Sequence, residues 1–265
     1  MEILVCVKRV PDTSENEIEL NSTGSDIERD DLVYSINEPD NYAVEEALQI
    51  VAKTTTGGTV SVVTVGAEDD EEVLRREMAM GASHGILLTD EAFAGSDARG
   101  IANILKSFVQ MGKYDLILTG VLADEGGAQV GGMLAAMLDY PFASLVTAIE
   151  VLDGKHLKVS REIEGGNKEV SEIDLPCVLS IQTGINEPRY VGMKGIRAVQ
   201  STPIPTYGTL ELGLNPGEVG TAAAKVTRLD YFVPVLGKGA RMLTGSREKN
   251  VEEISELIAA KGGLK

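Results

Sequence analysis

The stretch YDLILTGVLADEGGAQVGGMLAAML, residues 114–138, decides the fold. Its first part, Tyr114 to Thr119, is an apolar run without alternation, which suits a strand buried on both faces of a sheet. A glycine-rich loop follows, with glycines at 120, 126, 127, 131 and 132. From Gln129 to Leu138 the pattern becomes helical. A strand that passes through a glycine-rich loop into a helix is the unit from which parallel α/β sheets are built.

The same alternation extends towards the N-terminus. Ile3 to Val7 is a second strand of the buried type. Ala43, Val44, Ala47, Leu48, Ile50 and Val51 recur at helical spacing on one face, after Asn37. Val60 to Val65 is a strand, Asp69 to Met80 a helix with an acidic start, and Gly81 its C-cap. Gly85 to Leu88 is a strand, and Ser96-Asp97 caps a helix running to about Met111. The polar segment 12–32 carries a turn signal at Asn21 to Gly24 and predicts a short hairpin. Beyond 138 the pattern changes. Ala143–Val151, His156–Ile163 and Glu169–Ile173 are short strands joined by Asp153-Gly154 and Gly165-Gly166, which predicts antiparallel hairpins. Cys177 to Ile181 returns to a core strand. Residues 191–236 have little periodicity and much Gly and Pro, which reads as an arm laid over another protein. Glu252 to Ala260 is a closing amphipathic helix. The expectation is an α/β fold, a Rossmann-like parallel sheet with an antiparallel hairpin addition, plus an extended C-terminal arm and a terminal helix.

The chain has 265 residues and a net charge of −17. That charge argues against a polyanionic partner, and no apolar run reaches the length of a membrane span. Cys6 and Cys177 both sit in apolar stretches and read as reduced thiols, so a cytoplasmic location is expected. The charge is uneven. From Arg189 to Lys249 there are nine basic and four acidic residues, so that segment is +5 and the rest −22. It is either a solvated run or a face for an acidic partner.

No nucleophile and base stand together, the two histidines (His84 and His156) are isolated, and metal-ligand spacing is absent. No catalytic or metal residue is expected. With no Trp, four Phe and seven Tyr, a base-stacking surface is not expected either. The loop Gly120 to Gly132 is the better candidate. In parallel sheets ligands sit at the carboxyl ends of the strands, where a helix N-terminus suits a phosphate. It matches neither a Walker loop nor a dinucleotide fingerprint. Asn37-Glu38-Pro39-Asp40 is a second candidate, which taken alone reads as an N-cap, Asn37 or Asp40 accepting backbone N–H groups.

Asn186-Glu187-Pro188-Arg189-Tyr190 adds a different kind of information. Together with Ile3 to Asp12, Ala43-Val-Glu-Glu-Ala47, Ala79-Met-Gly-Ala82 and Gln129-Val-Gly131, it closely resembles the β subunit of electron-transfer flavoproteins, in order and over essentially the whole chain. The resemblance implies a heterodimer with an α subunit that holds the redox-active FAD near the interface. The β subunit binds a structural AMP; in a bifurcating branch a second FAD takes that place and NADH is oxidised. The heterodimer accepts electrons from acyl-CoA or related dehydrogenases and passes them to a membrane quinone oxidoreductase. The β subunit is a carrier and not an enzyme.

Carried over by position, the nucleotide contacts fall on Cys6, Asn37, Glu38, Pro39, Asp40, Val65, Gly120, Ala123, Asp124, Gly127, Gln129, Val130 and Gly131. The phosphate is expected around Gln129 to Gly132, and the adenine towards Cys6 and Val65. The partner-recognition loop follows Tyr190, and its leucine anchor corresponds to Met193. The loop departs from the common Asp-Gly-Asp-Thr form and is one residue short, which leaves open whether Asp124 or Glu125 contacts the nucleotide and favours AMP over a second FAD. The expected divisions are 1–190, the nucleotide-binding α/β domain; 191–236, recognition loop and partner-wrapping arm; and 237–265, a helical segment packing on the partner subunit. A rival reading is a free-standing adenine-nucleotide sensor, which would be monomeric.

Overall fold

The computed structural model describes residues 1–54, 57–123, 127–235, 237 and 239–263. The chain divides into two compact units, the first spanning 1–18 and 29–228, the second 19–28 and 229–265.

The first unit is built on strands β1 (Glu2–Cys6), β4 (Thr59–Val65), β5 (His84–Leu88), β6 (Leu116–Gly120) and β10 (Cys177–Ile181), all parallel. With β7 (Phe142–Val151), β8 (His156–Ile163), β9 (Asn167–Asp174) and β11 (Thr206–Tyr207) they form one nine-stranded sheet, in the order β11-β5-β4-β1-β6-β10-β7-β8-β9. A separate two-stranded antiparallel ribbon joins β2 (Arg9–Pro11) to β3 (Tyr34–Ile36).

Alternation along the strands sends side chains to two cores. Ile3, Val5, Val62, Leu118 and Leu179 face α1 (Glu38–Lys53) and α2 (Glu71–Met80). Leu4, Val63, Ile117 and Val178 face α3 (Ala98–Val109) and α4 (Val130–Leu138). A fully buried residue of this kind stabilises the fold by roughly 1.5–3 kcal/mol. The chain runs from β1 outwards to β4 and β5, then crosses to β6 on the other side of β1. The order of strands therefore reverses between β1 and β6, where open α/β sheets form a crevice.

Two expectations change. The segment 143–151 was expected among antiparallel hairpins, yet β7 pairs in parallel with β10 on one edge and antiparallel with β8 on the other. Hairpin signals in the sequence report only the local partner. The segment 191–236 also holds more structure than its composition suggests. It contains α5 (Met193–Val199), β11, α6 (Thr209–Leu212) and α7 (Gly220–Ala223), elements of two to seven residues and too short to show a period. β11 extends the sheet beside β5, and Leu212 and Val219 are buried in the second core. These elements belong to the first compact unit, which continues to Arg228.

The second unit joins a turn, bridged between Leu20 and Ile27, to the C-terminal segment, where Tyr231 N–H donates to the Gly24 carbonyl at 2.9 Å. Its helix α8 (Arg247–Ala260) starts earlier than Glu252 and buries none of its residues. Ser246 caps it by accepting from the Lys249 N–H.

Candidate functional site at the carboxyl edge of the sheet

Three strand ends meet two helix starts at the crevice. Cys6 ends β1 and pairs with Thr119 of β6; Val65 ends β4; Gly120 ends β6. Asp40, in the first turn of α1, accepts the Gly120 N–H on Oδ1 and the Lys8 N–H on Oδ2, both at 2.9 Å. The Asn37 amide donates to the Leu122 carbonyl at 2.9 Å. The capping role expected for Asn37 and Asp40 is therefore corrected: neither caps its own helix. Both tie the start of α1 to the ends of β1 and β6. Gly120 is required there, since a Cβ would lie 2.3 Å from Asp40 Oδ1.

α4 starts beside these ends. Its N-cap residue Gln129 makes no side-chain cap, and no acidic residue stands in its first turn. Gly131 packs against the hydroxyls of Thr119 and Ser180, which bond each other at 2.9 Å; a Cβ would lie 2.8 and 2.6 Å from them. The backbone enters this helix through Gly127 and Ala128, both at positive φ. A helix start without a cap from its N-cap side chain, and with glycine in its first turn, has backbone N–H groups of the kind that bind an anion. A cavity of about 420 Å³ adjoins the start of α1, between Pro11 of the β2–β3 ribbon and Leu122, Gln182 and Thr183 beyond β6 and β10.

Burial pushes the Asp40 carboxyl up to about 7, against the hydrogen bonds from Asn37, Lys8 and Gly120. Burial and then the Asp40 charge push the Cys6 thiol up to about 12, so it stays protonated. Among the described residues no three His, Cys, Asp or Glu cluster as a metal site.

A second constellation lies on the other side of α1. Arg189 forms a bidentate pair with Glu45, Nε to Oε2 at 2.7 Å and Nη2 to Oε1 at 2.9 Å. The Asn186 amide donates to Glu46 Oε2 and to the Tyr42 carbonyl. Two of the sequence motifs, at 43–47 and 186–190, are thus physically bonded. Tyr190 and Met193 follow directly and are 93% and 64% exposed.

A family model described as the electron transfer flavoprotein domain matches residues 26–209. The chain is 33% identical over 260 residues to the electron transfer flavoprotein subunit beta of Methylophilus methylotrophus, covering 97% of this chain and 98% of that protein. The chain belongs to the electron-transfer flavoprotein β-subunit family. It is also 35% identical over 263 residues to the caffeyl-CoA reductase-Etf complex subunit CarD of Acetobacterium woodii, covering 98% and 97% of the two chains. A further relative is the acryloyl-CoA reductase electron transfer subunit gamma of Anaerotignum propionicum, 30% identical over 270 residues and covering 98% and 99%. As an electron-transfer flavoprotein β subunit it is an electron carrier rather than an enzyme.

Of the expected nucleotide residues of this electron-transfer flavoprotein subunit, Cys6, Asn37 to Asp40, Val65, Gly120, Gln129, Val130 and Gly131 lie on the strand ends and helix starts of one edge. Ala123 and Gly127 flank the loop, while Asp124 and Glu125 lie outside the described residues. Tyr190 and Met193 belong to the separate loop. Sequence reasoning did not single out Lys8, Thr119 and Ser180, which bond at the candidate site, or Glu45 and Asn186, which anchor the separate segment at Tyr190. The signal for Ser180 was a hydroxyl in the apolar run Cys177–Ile181. Arg189, counted towards a basic face for a partner, is paired within the chain by Glu45. No helix among the described residues is long and apolar enough to cross a membrane.

Proposed function

We propose that this chain pairs with an α subunit, holds one AMP at the carboxyl edge, and presents Tyr190 and Met193 to a donor dehydrogenase of the acyl-CoA type. The α subunit holds most of the FAD, which supplies the electron chemistry when bound. Electrons leave to a membrane quinone oxidoreductase, and the complex works in the cytoplasm, in keeping with the free thiols of Cys6 and Cys177.

The observation that carries the nucleotide reading is the start of α4, which the Gln129 side chain does not cap, beside the ends of β1 and β6. The backbone N–H groups from Val130 to Gly132 would take the phosphate, so an acidic chain needs no basic side chain there. Cys6 and Val65 would border the base, and Asp40 keeps the two strand ends in register with α1. A second reading, in which FAD replaces AMP and NADH is oxidised, draws support from the likeness to the caffeyl-CoA reductase-Etf complex subunit. Acid extraction of the purified heterodimer followed by chromatography separates the two. One AMP and one FAD per heterodimer are expected. Two FAD without AMP overturn the AMP assignment, and a chain that folds alone and never co-purifies with an α subunit overturns the carrier reading.

A further inference from the structure

The segment from Arg189 to Thr202, a loop that leads into the short helix α5, is held far more firmly than its exposure suggests. Glu45 and Glu46 are adjacent carboxylates on α1, and both are buried. Such groups are tolerated only when paired and hydrogen-bonded. Glu45 receives the bidentate Arg189 fork, the Arg189 N–H at 3.2 Å and the Gln49 amide at 3.1 Å. Glu46 receives Asn186. These bonds fix the near end of the loop.

The far end is fixed from α2. Arg75 Nη1 donates to the Val199 carbonyl at 2.8 Å and to the Thr202 carbonyl at 3.3 Å, and Glu71 holds the same guanidinium. Between the two ends, Gly195 lies so close to Ala79 that a Cβ would stand 3.1 Å from its carbonyl oxygen. The chain is therefore pinned at both ends and pressed at its middle, while Tyr190 and Met193 point outward. The Glu45 carboxylate is buried while the Arg189 guanidinium that pairs with it is half exposed, and the better-attested use of pairing a buried charge is to fix geometry. Burial raises the Glu45 carboxyl, but the hydrogen bonds from Arg189 and Gln49 overcome this and hold it below its ordinary value. The pair is thus ionised at neutral pH.

We infer that the Arg189–Glu45 pair is a positioning device, which holds Tyr190 and Met193 in the place where a donor dehydrogenase meets them. This rests on the docking reading above. Arg189 and Glu45 touch neither nucleotide nor donor; they act through the loop they fix.

The test uses the assembled heterodimer with Glu45→Gln, Arg189→Lys and, as reference, Met193→Ala. Trypsin cleavage after Lys194 and Arg197 reports loop order. Steady-state reduction by a substrate-reduced acyl-CoA dehydrogenase reports docking. In Glu45→Gln, cleavage is expected to quicken and KM for the donor to rise about tenfold, less than the roughly hundredfold that an ångström of misplacement can cost. The turnover number and nucleotide content should stay at the wild-type level. Arg189→Lys keeps the charge and loses the fork, so it should show the same split, and it carries the test if Glu45→Gln fails to assemble. If Met193→Ala raises KM but neither pair variant changes KM or cleavage, the positioning role is overturned and the docking reading stands. If Met193→Ala leaves KM unchanged, the docking reading falls and the positioning role falls with it.

Discussion

In the first unit Leu4, Ile117 and Leu179 have no exposed surface; in the second Leu229, Phe232 and Val235 are 88%, 77% and 97% exposed. The first unit covers a sheet on both faces with its own helices. The second presents apolar side chains along an extended segment, and its helix α8 keeps Ile254, Leu257 and Ile258 in part exposed. Contiguous exposed apolar residues mark interaction surfaces in soluble proteins. The contrast teaches that the two units draw stability from different sources. One has an internal core, and the other leaves its apolar side chains exposed, a surface that we propose a partner subunit buries.

The largest effect should come from removing residues 229–265. Co-expression with the α subunit and size-exclusion chromatography should show loss of the heterodimer, while far-UV circular dichroism keeps the signal of the α/β unit. A truncated chain that still binds the α subunit at wild-type affinity would break the contrast, because it would place the partner surface on the first unit.

A smaller effect probes the opposite side of the comparison, since the first unit also buries a group at a cost. Glu77 on α2 has no exposed surface, and neither carboxylate oxygen has a hydrogen-bond partner among the described residues. Burial pushes its carboxyl up to about 8, partly opposed by Arg76 and reinforced by Asp40 and Glu45. A folded pKa above the unfolded value near 4.5 means that the native state holds the proton more tightly. Stability from this group is then fully present below pH 4.5 and is lost as pH rises through 8. Glu77→Gln removes the ionisation. The variant should match wild type at pH 5 and exceed it at pH 9, by on the order of 3 kcal/mol in urea titrations. Equal curves at pH 9 would show that Glu77 is solvated there.

How much of this was legible follows the range of each interaction. The runs at 3–7, 60–65 and 114–119 announce buried strands because burial on both faces leaves no alternation to mistake. The glycine-rich loop before α4 could be placed at a strand end for the same reason. The partners of Asp40 could not be read, because Gly120 is 80 residues away and a helix start offers a local cap as the simpler explanation. The Arg189–Glu45 pair spans 144 residues, and its motifs were visible only as separate pieces. Residues 191–228 hid their structure because elements of two to seven residues complete at most two helical turns.

The smallest effect concerns the boundary between the units. Asp97 caps α3 by accepting the Gly100 N–H at 2.9 Å, and its other oxygen accepts the Lys225 and Val226 N–H groups at 2.6 and 3.2 Å. One carboxylate thus starts a helix and ties down the last residues of the first unit. These backbone bonds, from Gly100 first, hold its carboxyl below the ordinary value, with burial opposing. A lowered pKa means that this stability is present above the unfolded value near 3.8 and is lost as pH falls below it. Asp97→Ala removes the cap and the tie together and should cost about 1–2 kcal/mol. Hydrogen exchange should quicken at 220–228 and in the first turn of α3, and remain unchanged in β1 and β6. If exchange quickens only in α3, the segment to Arg228 is held by Leu212 and Val219 packing instead, and the edge of the first unit is set by apolar contact and not by this carboxylate.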